Sequence, residues 1–196
     1  GRNIGEEVAK LLSKEGAAIA VVDLDQGRAN KVAGEINAAG GKAKAFICDV
    51  AKESDIEATV KGVTEAFGRL DILVNNAGLN ILERRWNELS PQGADHVISG
   101  NLNSAYYNVI ACLPIMRRQQ DGVIIHTASW AGKYVTPVSG TAYTAAKHAV
   151  VAMSESINIE EFRNGIRSSV LCPNEIATPI LEKRPVKATD EEKARM

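Results

Sequence analysis

Five short strand-like runs, separated by stretches of helical periodicity, limit this chain more than any other feature of its sequence. Ala18-Ile19-Ala20-Val21-Val22 is apolar without alternation, the mark of a strand covered on both faces. Lys42–Cys48 alternates, and Leu70–Val74, Val123–Thr127 and Ile166–Leu171 complete the set. Helical patterns fill the intervals. Glu6–Lys14 carries a stripe of Val8, Leu11 and Leu12 and is stopped by Gly16. Further helices are predicted over Gln26–Ala39, closed by Gly40-Gly41, and over Ser54–Phe67, closed by Gly68. A helix over Pro91–Ser99, a long one over Leu102–Arg118 and another over Ala142–Asn164 follow; Ser129–Gly140 is loop. Strands alternating with helices of about 10–20 residues predict an α/β fold. It is a doubly wound parallel sheet with helices on both faces, three layers deep (α/β/α).

At 196 residues the chain suits one domain over 1–196, and it shows no internal repeat, low-complexity tract or linker. The net charge of −1 and the 45% hydrophobic content point to neither nucleic acid nor a membrane surface as partner. The apolar runs are too short to span a bilayer. Cys48, Cys112 and Cys172 are odd in number and widely spaced, which fits neither a disulfide framework nor a metal knuckle and implies a reducing, cytoplasmic setting. His96, His126 and His148 lack ligand spacing, so no metal site is predicted. The chain begins at Gly1 without Met, which leaves open a targeting segment ahead of it.

In doubly wound sheets ligands bind beyond the carboxyl ends of the strands. The distinctive polar clusters all fall there: Asp23, Asp49-Val50, Asn75–Gly78, Ser129 and Pro173-Asn174. Downstream lies Thr141-Ala142-Tyr143-Thr144-Ala145-Ala146-Lys147, an Ala-rich run without Gly or Pro. A helix puts Tyr143 and Lys147 on one face, one turn apart. An ammonium there favours the phenolate and lowers a pKa that starts near ~10, making a general acid/base. A packed Tyr with a Lys snorkelling beside it satisfies the same spacing.

With these residues in view, the sequence resembles a short-chain dehydrogenase/reductase of the classical, Rossmann-like branch along its whole length. Asn75-Asn76-Ala77-Gly78 matches that family's Asn-Asn-Ala-Gly segment. Asn101, Ser129, Tyr143 and Lys147 follow the order of its Asn-Ser-Tyr-Lys tetrad. Pro173-Asn174-Glu175-Ile176-Ala177-Thr178 is similar to its Pro-Gly-x-x-x-Thr segment, with Asn174 in place of the Gly. The resemblance implies hydride transfer between NAD(P) and a secondary alcohol or ketone. Tyr143 would be the acid/base, Ser129 would hold the substrate oxygen, Lys147 would hold the nicotinamide ribose, and Asn101 would hold a relay water. His126, in a strand, and His148, turned off the Lys147 face, take no catalytic role.

The resemblance also implies the cofactor contacts. Gly1-Arg2-Asn3-Ile4-Gly5 enters a helix, where free N–H groups suit a pyrophosphate, with Asn3 standing where the middle glycine of the family belongs. Asp23, eighteen residues after Gly5, suits the adenosine ribose and would repel a 2′-phosphate; NAD is therefore expected over NADP, though Arg2 argues the other way. Asp49 and Val50 would flank the adenine. Asn76, Ala77, Gly78 and Pro173 would line the cofactor, and Ile176 and Thr178 would contact the carboxamide. Trp86, Trp130 and Tyr134 lie in the loops expected to meet substrate and suggest an apolar or ring-bearing one. Helices 102–118 and 142–164 imply a homodimer or homotetramer. A first strand before Gly1 and a final strand after Met196 are expected in a longer polypeptide. An inactive scaffold of the same fold is the alternative reading.

Overall fold

The computed structural model describes residues 4–174. Its strands are β1 (Ala18–Asp23), β2 (Lys42–Ile47), β3 (Ile72–Asn75), β4 (Gly122–Thr127) and β5 (Ile166–Leu171). Its helices are α1 (Ile4–Lys14), α2 (Gln26–Ala38), α3 (Glu53–Phe67), α4 (Pro91–Ile98), α5 (Ser104–Gln119) and α6 (Thr141–Glu161). All pairings are parallel, so within each ladder the strands deliver their carboxyl ends to the same edge. The order is β1-β2 in one ladder and β3-β4-β5 in the other. Among the described residues no ladder joins β1 to β3.

Each ladder has its own core. Ile19 and Val21 of β1 pack with Ala29, Val32, Ala33 and Ile36 of α2, and Ala9 and Leu12 of α1 close the edge. On the other ladder Ile124 meets Val109 and Met116 of α5, Val150, Met153 and Ile157 of α6, and Ile166 of β5. Two contacts bring the halves together. Gly62 of α3 lies so near the Phe46 ring of β2 that a Cβ there would sit 3.1 Å from Cε1, while α3 also packs on α5. Gly5 faces Asn76 beyond β3, and a Cβ there would come within 2.7 Å of the amide nitrogen.

The helix starts follow local chemistry. Asp25 caps α2 by accepting from the Arg28 N–H at 2.8 Å, and Ser90 caps α4 from the Gly93 N–H at 3.0 Å with Pro91 in the first turn. Gly68 closes α3 at φ 79°, a left-handed conformation that Gly adopts without a Cβ penalty.

Two of the differences from the sequence expectation have a clear physical cause. The helices predicted over Pro91–Ser99 and Leu102–Arg118 are one continuous run, α4 and α5, joined by a π-helical turn over Ser99–Asn103. The wider turn absorbs an extra residue, which periodicity alone registers as a break. The strand predicted from Leu70 begins at Ile72, because the Gln119 side chain takes both the N–H (3.1 Å) and the carbonyl (2.9 Å) of Leu70.

Ile124 has no exposed surface and sits at the centre of the larger core. Ile124→Ala is expected to cost about 2–5 kcal/mol, read as a lower urea midpoint at unchanged slope. A loss below about 1 kcal/mol would contradict the packing described.

Candidate active site

The site grows from the loop after β3. Both asparagines of Asn75-Asn76-Ala77-Gly78 are tied to β4. The Asn75 amide nitrogen lies 3.3 Å from His126 Nδ1, and the Thr127 hydroxyl donates to Asn76 Oδ1 at 3.2 Å. That pinning leaves Ala77 and Gly78 exposed at the strand edge. Asn101, in the π-helical turn and only 2% exposed, holds the next residue. Its Nδ2 donates to the carbonyls of Leu79 and Val97, each at 2.7 Å, and its Oδ1 accepts from the Leu79 N–H at 3.3 Å. Gly78 is a close approach: a Cβ there would lie 2.7 Å from Asn101 Oδ1 and 3.4 Å from Lys147 Nζ.

α6 carries Tyr143 and Lys147 on the face turned to this loop. Lys147 is 4% exposed and donates to the Thr127 carbonyl at 2.8 Å. Burial lowers its pKa to about 8. Its Nζ lies 5.5 Å from the centre of the Tyr143 ring. Ser129 follows β4, accepts from the Ala131 N–H at 3.2 Å, and its hydroxyl favours the ionised form of the Tyr143 phenol. Asn101, Gly78, Lys147, Tyr143 and Ser129 therefore form one contiguous run across four elements.

The electrostatics correct one expectation. Spacing suggests that Lys147 lowers the Tyr143 pKa, whereas burial raises it, outweighing the Ser129 hydrogen bond and the Arg84 charge that favour the phenolate. The Lys147 ammonium is directed at the Thr127 carbonyl and is itself disfavoured by burial, so it contributes less than the helix spacing implies.

A second group of residues lies on the β1 side of the same edge. The Asp23 carboxylate accepts from the Asp25 N–H (2.9 Å) and from Arg28 Nη2 (2.7 Å) and Nε (3.2 Å). Burial would raise its pKa, but the Arg28 and Asp25 donors bring it down to about 2. Ile4 and Gly5 open α1 beside Asn76. An anionic carboxylate, a helix N-terminus and exposed loop backbone along one strand edge fit a dinucleotide. Asp49 stands at the end of β2 in a local turn, accepting from the Ala51 N–H at 3.1 Å, with Val50 beside it. The Pro173 carbonyl accepts from the Trp130 N–H at 2.7 Å, which draws the end of β5 against the Ser129 loop. Arg2, Asn3, Ile176 and Thr178 lie outside the described residues.

His126 is fully buried on β4, and His148 bonds the Thr144 carbonyl at 2.9 Å. Among the described residues no group of three or more His, Cys, Asp or Glu is placed to hold a metal, and no helix is long and apolar enough to cross a membrane. Sequence reasoning missed Arg28 and Arg84. Arg28 had a signal, a cation in the first turn of the helix that follows Asp23. Arg84 had none beyond a pair of arginines in a loop.

A family model described as short chain dehydrogenase matches residues 1–188. The chain is 36% identical to a cyclohexanol dehydrogenase of Acinetobacter sp. over 182 residues, covering 92% of this chain and 72% of that protein. It is 36% identical over 190 residues to a 2,5-dichloro-2,5-cyclohexadiene-1,4-diol dehydrogenase of Sphingobium indicum, covering 93% and 72%. The crystal structure of a metagenomic short-chain oxidoreductase in complex with NADP superposes with a TM-score of 0.84 at 34% identity, covering 89% of this chain and 79% of that one.

Burial, aided by the Lys147 charge, pushes the His126 pKa down to about 4. Between pH 6.5 and 4 the unfolded chain takes up a proton that the folded one refuses, so His126 makes stability fall as the pH drops through that window. The loss reaches about 3 kcal/mol below pH 4 and is expected to be absent from His126→Asn. Chemical denaturation of both proteins across the window checks it; parallel curves would contradict the buried neutral histidine.

Proposed function

The chain belongs to the short chain dehydrogenase family, and on that premise we propose that this NAD(P)-dependent oxidoreductase interconverts a secondary alcohol on a carbon ring with its ketone. The observation that supports the assignment is the contiguous run Asn101–Gly78–Lys147–Tyr143–Ser129 at the carboxyl edge of β3 and β4. Nicotinamide, when bound, supplies the hydride chemistry. Tyr143 takes the hydroxyl proton in oxidation and returns it in reduction. Ser129 donates to the substrate oxygen, where negative charge develops. Lys147 holds the ribose next to the nicotinamide. Its partly neutral amine passes protons between Tyr143 and water held at Asn101. Ile4, Gly5, Asp23, Asp49, Val50, Asn76, Ala77, Gly78 and Pro173 would hold the dinucleotide, and the family's motifs assign Arg2, Asn3, Ile176 and Thr178 to the same task.

Asp23 favours NAD. Its carboxylate accepts from ribose hydroxyls and repels a 2′-phosphate, although Arg28 partly offsets that charge. The ring-bearing substrate is supported by Trp130 and Tyr134, whose ring centres lie 4.2 Å apart beside Ser129, and by Trp86, 82% exposed in the loop after β3. Both ring-alcohol dehydrogenases above point the same way.

A homo-oligomer through α5 and α6 is the matching proposal for assembly. Tyr106 and Ile110 on α5, Ile159 on α6 and Phe162 beyond it are exposed, and Ile110 lines a groove of about 500 Å3 between α3 and α5. Ile110→Lys with Ile159→Lys is expected to halve the sedimenting mass or more; an unchanged mass would remove these helices from the interface.

For the activity, cyclic alcohols are expected to be oxidised with a higher kcat/KM on NAD than on NADP. Tyr143→Phe should lower kcat by about 100-fold or more with NAD affinity retained in a calorimetric titration. Retained turnover in Tyr143→Phe would overturn the assignment of the base.

A further inference from the structure

Arg84 is a charged residue in a place that ordinarily excludes one: its side chain is 8% exposed, in the loop between β3 and α4. Its Nε donates to the Ile81 carbonyl at 2.7 Å, holding its own loop, and its Nη1 donates to the Val138 carbonyl at 3.1 Å, in the loop that leads into α6. The Arg84 carbonyl accepts from the Thr141 N–H at 3.4 Å, at the first residue of α6. Asn80 adds a parallel tie, donating to the Ser139 carbonyl at 2.9 Å. Between these ties stands Gly140 at φ 78°, where a Cβ would lie 2.5 Å from the Arg84 Cβ and 2.9 Å from its carbonyl oxygen. Residues 80–84 are thus laced to 138–141, two residues ahead of Tyr143.

We propose that Arg84 is a positioning residue for Tyr143: its buried fork sets where α6 begins, and hence where the phenol sits, and it presents a fixed positive charge to that phenol. The inference rests on reading Tyr143 as the acid/base. A planar guanidinium suits the task because its separate donors reach two carbonyls at once, which an ammonium on a flexible stem does not. Among the described residues, Ser129 and the Arg84 charge favour the phenolate, Lys147 Nζ lies 5.5 Å from the ring centre, and Lys147 in turn acts on His126 while Cys172 acts on Lys147. Arg84 therefore adds a second positive charge, beside Lys147, on the side that favours the phenolate.

The test compares wild-type, Arg84→Met, Arg84→Lys and Tyr143→Phe proteins in cyclic-alcohol oxidation across pH, alongside dinucleotide binding by calorimetry. Oxidation needs the phenolate, so removing the Arg84 charge should move the acid limb of the kcat profile up by about one pH unit. Arg84→Met should also lower kcat by roughly ten-fold or more while dinucleotide affinity stays unchanged. Arg84→Lys keeps the charge but not the fork, so it should restore the limb and leave kcat low. A wild-type profile and kcat in Arg84→Met, with only a lower melting temperature, would overturn the proposal. If Arg84→Met does not fold, an unchanged kcat in Arg84→Lys overturns it equally. An active Tyr143→Phe would instead overturn the acid/base reading, whatever Arg84 does.

Discussion

One buried amide sets the shape of the whole site. The loop after β3 leaves the sheet at its carboxyl edge and must satisfy its backbone without a neighbouring strand, and Asn101 does so for both polar groups of Leu79. Asn101 reaches that loop because α4 and α5 are joined by a π-helical turn, in which the Ser104 N–H reaches back five residues to Ser99. Its third bond, to the Val97 carbonyl, anchors the side chain to the helix it leaves. Gly78 can then lie against Asn101 and Lys147 only because it has no Cβ. Remove the amide, and the loop, the glycine approach and the Lys147 environment lose their common support.

Desolvation, more than charge pairing, governs the titrating groups here. Lys147, His126 and Tyr143 are all driven toward their neutral forms by burial, on a stretch of β4 and α6 where three ionised side chains would be costly. Asp23 is the contrast: it stands at the sheet edge with donors from Asp25 and Arg28, and stays ionised. The edge is therefore divided electrostatically. A half of buried titrating groups driven toward neutrality, with the Arg84 cation beside them, lies around Tyr143, and an anionic half lies at the end of β1.

The two halves are joined by small residues and by one helix. Gly5 against Asn76, and Gly62 against Phe46, are close approaches at which an added Cβ would sit 2.7 Å and 3.1 Å from the facing side chain. α3 spans between β2 and α5 and gives the two ladders a shared layer. Family membership and the superposition on a solved short-chain oxidoreductase agree with this layered arrangement of helices and parallel strands.

The sequence by itself determined the strands, most helix ends and the identity of the polar cluster. Each of those rests on local causes: apolar runs for β1 and β4, Gly16 and Gly68 as stops, Ser90-Pro91 as a start, and the four-residue spacing of Tyr143 and Lys147. Alternation of strands and helices then placed Asp23, Asn76 and Ser129 at carboxyl ends of parallel strands, a consequence that needs no coordinates, whereas Asn101 joins them only through the π-helical turn. Only the tertiary structure decided the rest. The join of α4 to α5, the start of β3 at Ile72, the pairing of Arg28 with Asp23 and the lacing of Arg84 to Val138 and Thr141 depend on distant groups competing for the same backbone and carboxylate sites. The sign of the Tyr143 shift was settled there too. Burial depends on everything packed around a side chain, whereas spacing along one helix reports only its nearest neighbours.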